Sequence, residues 1–425
     1  MEAPARTALL LGTAALCACA AAPKASTPPD APAPQAQAVS APNTPARAPS
    51  KRGVAYHFCG WDSVEGPTDL EALQPGVGWY YNWSSTPMRC EDGQGVGGHS
   101  ALTNGAMEFV PMAWGLAEQG AQCANGGPCF LVDERKGGVS CPDACAEVDW
   151  SMRSDGPCYA CYHEPISRDA FLADIPDTAQ HLLGYNEPNF KEQANLTPEV
   201  AAKGWRHVQW VADQRDLTLV GPATNFCDPT PGAHHPGACI EAVDGDRMFG
   251  LAWLERFYDA CTADGPAGFD CRIDRQAVHA YSCGSVTWMI ELMKGKAGLK
   301  PVTEPHCTNG VQDEDEFGVD CGGNTCTACS AHARAIFSKP VWLTEFAPDA
   351  GDCGVEGREA LVEKTLAFMD RELPILDADP YVERYAWFMP KTNIPTLDHC
   401  DLLDEEQPGV RTPVGDRYLG TAERP

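Results

Sequence analysis

A chain of 425 residues, 44% of them hydrophobic, can bury a large core, and it contains no apolar run of the ~18 residues that a membrane helix needs. Fifty-nine acidic against 31 basic residues leave a formal charge of −28, which argues against nucleic acid and anionic membrane surfaces as partners and suits a neutral ligand. The length exceeds one average domain but is ordinary for an α/β barrel carrying insertions.

Residues 1–19 read as a signal peptide. Ala8 to Ala18 form an apolar stretch too short to span a membrane, behind a weak basic start in which Glu2 offsets Arg6. Leu16, Ala18 and Cys19 have the spacing of a bacterial lipoprotein cleavage box, although Cys17 is an unusual filler. The expectation is export, with a lipid anchor on Cys19 at the cell surface or outer membrane; simple secretion is the alternative. Residues 20–51 are rich in Ala, Pro, Ser and Thr, cannot build a core, and read as a disordered spacer. The folded domain is then expected over 52–425.

From residue 53 onward, short apolar runs alternate with helix-capable or irregular segments. Eight read as strands: GVAY (53–56), GWYYNW (78–83), EFVPMAW (108–114), HLLGYN (181–186), LTLVGPAT (217–224), QAVHAYS (276–282), PVWLTEFA (340–347) and ERYAWFM (383–389). Most are continuously apolar, as expected of parallel strands covered on both faces. The intervening helices are clear. Thr197 and Pro198 cap and open one in which Ala201, Trp205, Val208 and Ala212 make a buried stripe. Residues 247–261 are a second, and 357–373 a third with Val362, Leu366, Met369 and Leu373 as its stripe. Strand then helix, repeated towards eight, predicts a (β/α)8 TIM barrel.

Two segments break the rhythm. Residues 115–165 hold six cysteines and little periodicity, and read as a disulfide-bound loop insertion. Residues 303–332 form an acidic module with four cysteines, where Asp313, Asp315, Glu316 and Asp320 are oxygen donors that could take calcium. Their spacing is not that of an EF-hand, so a solvated acidic loop is the plainer reading. Of 21 cysteines, Cys17 and Cys19 lie in the leader and 19 remain, which agrees with export. Close neighbours include Cys123/Cys129, Cys141/Cys145, Cys158/Cys161, Cys227/Cys239, Cys261/Cys271 and Cys326/Cys329. Connectivity cannot be read from spacing, and the odd total implies one free or intermolecular thiol. The zinc-ribbon-like spacing over 141–161 is read as disulfides in an exported protein, and His234, His235 and Cys239 as loop. No nucleotide fingerprint, P-loop or GxSxG elbow occurs, so neither metal nor cofactor is expected.

Two glutamates carry the chemistry. Glu187 lies just past the fourth counted strand and Glu345 near the end of the seventh, so a barrel puts both at its C-terminal mouth. Paired carboxylates there suit glycoside hydrolysis. Asn186 can offer its amide hydrogens to a sugar hydroxyl, and Pro188 restrains the turn that aims Glu187. Tyr81, Trp83, Trp114, His279, Tyr281 and Trp387 are the candidate substrate-binding residues, since aromatic faces stack on pyranose C–H faces. Each also has an ordinary structural reading as core packing or a solvated side chain.

The ordered set GWYYNWSS, FVPMAWG, HLLGYNEPN, VGPA, VHAY, KPVWLTEFA and ERYAWF resembles the Asl1-like catalytic domain, glycoside hydrolase family 128, over about residues 53–400. The resemblance implies a (β/α)8 barrel, a retaining mechanism and β-1,3-glucan as substrate. By it, Glu187 matches the acid/base, Glu345 the nucleophile and Asn186 the 2-hydroxyl contact, while Ala280 stands where a bulkier aromatic is frequent. The expected protein is thus a monomeric glycosidase acting on a neutral β-glucan. The alternatives are a surface-anchored glucan-binding protein without activity, and a related hydrolase of another neutral β-glycan.

Overall fold

The computed structural model describes residues 51–56, 66–74, 76–87, 107–116, 129–132, 164–191, 193–226, 239–240, 250–313, 316–392 and 394–420. The expected leader, the spacer up to residue 50, the zinc-ribbon-like run and His234/His235 lie outside these residues. No helix among the described residues is long and apolar enough to cross a membrane.

The strands in chain order are β1 (Arg52–Ala55), β2 (Trp79–Tyr81), β3 (Glu108–Phe109), β4 (Gly115–Leu116), β5 (Cys129–Val132), β6 (Glu164–Ser167), β7 (His181–Leu183), β8 (Thr218–Thr224), β9 (Arg275–Tyr281), β10 (Val341–Ala347) and β11 (Val382–Phe388). All eight runs expected as strands contribute to one sheet in the order β3-β2-β1-β11-β10-β9-β8-β7, and every pairing in it is parallel. Its two outer strands are joined in turn, because Ala113 N–H donates to the Leu183 carbonyl and Leu183 N–H to that of Pro111, both at 2.9 Å. The curled parallel sheet with helices between strands is an α/β fold consistent with a (β/α)8 barrel.

Local chemistry sets the element ends. The third run stops as a strand at Phe109 because Pro111 has no N–H to give the ladder. All seven residues of β10 are buried, as a strand covered on both faces requires. In the helix Pro198–Arg215, Thr197 accepts the Val200 N–H at 3.4 Å, and Ala201, Trp205, Val208 and Ala212 are buried as expected. The helix Arg358–Ala378 departs from expectation: Thr365, Phe368, Met369, Glu372, Leu373 and Leu376 face inward, and Val362 and Leu366 are only half-buried. Glu372 holds an inward place because its carboxylate accepts the Ser285 hydroxyl at 2.8 Å and the Val286 and Thr287 N–H groups at 3.1 Å. It thereby serves the orphan donors that open the helix Thr287–Lys296.

The insertions are more structured than their composition suggests. Strands β4, β5 and β6 bracket the first as a small antiparallel sheet, which corrects the reading of 115–165 as loop alone. The second is stapled by Cys307–Cys326 and Cys321–Cys329, so the sequence neighbours Cys326 and Cys329 have different partners. It is seated on a fully buried ion pair, Lys296–Glu255. Glu255 also accepts the Cys329 N–H at 2.7 Å, and Lys296 donates to the Gly323 carbonyl at 2.7 Å. The Glu316 carboxylate accepts N–H groups of Asp313 and Asp320 at 3.1 and 3.2 Å, so it organises the loop from within. Cys261–Cys271 and Cys283–Cys353 are also bonded. Cys400 is free and buried.

Candidate active site

Glu345 reaches the barrel interior through an irregularity in β10. Trp342 faces inward, its ring 5.1 Å from that of Trp79 and 4.9 Å from that of His181. Strict alternation from Trp342 would turn Glu345 outward. The register with β9 instead runs Leu343↔Val278 and then Glu345↔His279, which leaves Thr344 as an extra residue. The same shift occurs against β11, where Leu343 pairs with Tyr385 and Phe346 with Trp387. A bulge of one residue re-aims the next side chain, and here it turns Glu345 inward.

Glu187 is aimed by the turn after β7. Its φ of 40° is in the left-handed region, uncommon for a residue other than glycine and worth roughly 1–3 kcal/mol of strain. Its N–H donates to the Ala223 carbonyl at 2.8 Å, and its carbonyl accepts the Phe190 N–H at 2.9 Å. Trp83, with φ of 60°, is the other left-handed residue at the site.

The two carboxylates meet around His279. One acceptor atom from each of Glu187, His279 and Glu345 lies within 4.8 Å of the others, and all three residues are buried. His279 Nδ1 is 2.8 Å from Glu187 Oε1 and 3.3 Å from Glu345 Oε2. Glu345 accepts three further hydrogen bonds: from the Tyr81 hydroxyl at 2.9 Å and Trp83 Nε1 at 2.8 Å on Oε1, and from the Tyr281 hydroxyl at 2.5 Å on Oε2. Glu187 accepts one from Asn225 Nδ2 at 2.9 Å.

The electrostatics follow from crowding. Burial pushes the Glu345 carboxyl above the usual carboxylate range; His279 opposes this, Glu187 reinforces it, and the Tyr281 and Trp83 hydrogen bonds offset part of it. Burial alone would lower His279, but Glu345 and Glu187 outweigh it and hold the imidazole above its ordinary value. The three groups also lie within metal-ligand reach of one another. However, donor hydrogens from Tyr81, Trp83 and Tyr281 already point at both Glu345 oxygens, an environment that repels a cation. The other such cluster, His306, Cys307, Glu316 and Cys326, has its two sulfurs joined in a disulfide.

The remaining candidates divide. Tyr81, Trp83 and Tyr281, expected as stacking surfaces, turn their polar atoms on Glu345. Asn186 donates one of its two Nδ2 hydrogens to Gln193 Oε1 at 3.1 Å and leaves Oδ1 buried with no hydrogen-bond partner. Trp114 is buried, and its carbonyl accepts the Asn186 N–H at 2.8 Å. Trp387 is fully buried on the outer face of β11, with its ring 5.1 Å from Phe346 and 5.5 Å from Tyr418 and Nε1 donating to the Cys400 carbonyl. Its neighbour Phe388 takes the inner face, 5.8 Å from Trp83 and 5.5 Å from Tyr281. Period-two counting gives this once the structure places Arg384 inward. Asn225 and Gln193 were missed, since a lone amide in a loop carries no signal until the fold brings it to a carboxylate.

A family model described as the glycosyl hydrolase catalytic core matches residues 53–126, 159–320 and 323–418, well over half of the chain. The chain belongs to this family. The glycosyl hydrolase is also similar to a solved family 128 (subgroup II) endo-β-1,3-glucanase from Sorangium cellulosum. The two are 24% identical, with a TM-score of 0.52 over 88% of this chain and 99% of that one, and they share a fold. The corresponding enzyme from Pseudomonas viridiflava is 25% identical, with a TM-score of 0.49 over 88% and 98%. No curated protein matches the glycosyl hydrolase.

Proposed function

We propose that this glycosyl hydrolase cleaves β-1,3-glucan, within the chain, by a retaining mechanism in which Glu345 is the nucleophile and Glu187 the acid/base. The observation that carries the proposal is the approach of their carboxylate oxygens to within 4.8 Å. Retaining enzymes hold the pair ~5–5.5 Å apart, and inverting ones leave ~6.5–9.5 Å for a water. Glu187 donates its proton to the glycosidic oxygen as Glu345 attacks the anomeric carbon; Glu187 then takes a proton from the water that releases the sugar. The four groups around Glu345 favour its ionised form and hold its oxygens in place. Asn186 offers Oδ1, which has no partner, and its second Nδ2 hydrogen to a hydroxyl of the sugar under attack.

The substrate rests on the Sorangium cellulosum enzyme of like fold, a family 128 endo-β-1,3-glucanase. The four disulfides among the described residues support an exported protein, tethered through Cys19 by the leader's lipoprotein-like spacing. The test is reducing-end release from a panel of neutral polysaccharides, run with wild type and Glu345→Ala. Release from β-1,3-glucan that Glu345→Ala abolishes and azide restores is the expected result. An unchanged rate in Glu345→Ala ends the mechanism. Tight binding without release replaces it with a glucan-binding role.

A further inference from the structure

We infer that Asn225, at the end of β8, is a positioning residue that fixes which oxygen of Glu187 carries the transferable proton. This rests on the glycosidase reading above and goes beyond it by naming the group that orients the acid.

The orientation of the Asn225 amide is settled by its surroundings. Its Oδ1 accepts the backbone N–H of Phe226 at 2.8 Å, and a backbone N–H can only donate. The atom that meets Glu187 Oε1 at 2.9 Å is therefore Nδ2, a donor. His279 Nδ1 lies 2.8 Å from the same oxygen. His279 Nδ1 also lies 3.3 Å from Glu345 Oε2, and a ring nitrogen that faces two carboxylates is assigned the hydrogen. Two N–H groups then converge on Oε1, and no described residue donates to Oε2. A carboxylic proton on Oε1 would point at two other hydrogens, so it resides on Oε2. In the glycosylation step the Oε2–H bond breaks and the proton goes to the glycosidic oxygen. That oxygen keeps the electron pair of the breaking C–O bond while Glu345 forms the new bond to carbon. In the second step Oε2 takes a proton from water as the water oxygen bonds to the anomeric carbon and the bond from that carbon to Glu345 breaks, its electron pair returning to the carboxylate.

Asn225 is itself held at two points by Asn189, a fully buried residue two places after Glu187. Asn189 Nδ2 donates to the Asn225 carbonyl at 2.8 Å, and its Oδ1 accepts the Asn225 N–H at 3.3 Å. The turn that carries the acid and the strand end that orients it are therefore locked by one amide pair. The fit is close: a Cβ on Gly250 would lie 2.7 Å from the Asn225 carbonyl oxygen. These contacts secure the fold locally, but only the Nδ2–Oε1 bond reaches the reacting group.

The test separates acid positioning from mere structure by varying the leaving group. A dinitrophenolate departs without protonation, whereas a glucosyl oxygen needs the acid. For Asn225→Ala, kcat/KM on laminarin is expected to fall at least about tenfold, and kcat/KM on a 2,4-dinitrophenyl β-laminaribioside less than about threefold. Asn189→Ala should move the same ratio in the same direction, and it serves if Asn225→Ala does not fold. Equal falls on both substrates, or no fall on either, overturn the inference. Wild type and Glu187→Ala run alongside keep the two ideas apart. If wild type cleaves neither substrate, or Glu187→Ala matches it on laminarin, the glycosidase reading itself fails; otherwise the Asn225→Ala ratio decides.

Discussion

The two ends of the barrel hold similar residues in opposite balance. At the N-terminal ends of the strands, Glu108 meets His181 at 2.6 Å and Arg384 at 2.7 Å, and Arg384 lies over the Trp342 ring at 4.5 Å. One carboxylate there faces an arginine and a histidine. At the other end, two carboxylates share a single histidine. His181 with Arg384 pulls the Glu108 carboxyl below its usual range despite burial, while Glu345 is pushed above it. The difference separates a cluster in which one carboxylate has two basic partners from one in which two carboxylates compete for a single histidine. The proposed chemistry sits where the charges do not balance.

The sharpest way to break this contrast is to remove a carboxylate from each end. Glu187→Ala and Glu345→Ala should each lower glucan hydrolysis by at least about a thousandfold, measured as reducing-end release, with the circular dichroism spectrum kept. Glu108→Ala should instead act on the fold. It leaves Arg384 and His181 unpaired in a largely buried place, and denaturant unfolding should show a loss of about 3 kcal/mol. A Glu108→Ala protein that is as stable as wild type would show that the lower cluster contributes nothing.

The pH responses should oppose each other. The folded-state pKa of Glu108 is depressed, so the stability it contributes is present above the ordinary glutamate range and lost as pH falls through the folded value. Glu345 is raised, so its contribution is present below the ordinary glutamate range and lost as pH rises through the higher folded value. Glu345→Gln removes that second loss. Its unfolding midpoint relative to wild type should therefore rise from acid to neutral pH, and a constant difference would refute the assignment. The smallest effect tests a helix start that contributes no side chain to either cluster. Thr197→Ala removes the cap at Val200 and should cost about 1 kcal/mol in unfolding, with the reaction rate unchanged.

Much of the fold was legible because its signals are local. Apolar runs, most of them continuous, marked every strand of the parallel sheet, and Thr197 with Pro198 marked a helix start that the structure keeps. The carboxylates could be named because each ends a hydrophobic run, at Asn186-Glu187-Pro188 and Thr344-Glu345-Phe346. Their partners were harder. Tyr81, Trp83 and Tyr281 read as sugar platforms because an aromatic at a strand end is the same letter whether its ring or its polar atom faces the site.

By itself the sequence determined the period of each element, the helix start at Thr197 and the order in which strand and helix alternate. These depend on neighbours a few residues apart, through steric and hydrogen-bonding preferences. Only the tertiary structure decided that Thr344 is an extra residue, that Phe388 rather than Trp387 lines the interior, that Cys283 bonds Cys353 across 70 residues, and that His279 and Asn225 converge on Glu187. Those outcomes depend on register between strands distant in the chain. A shift of one residue exchanges the two faces of a strand, and no local preference specifies it.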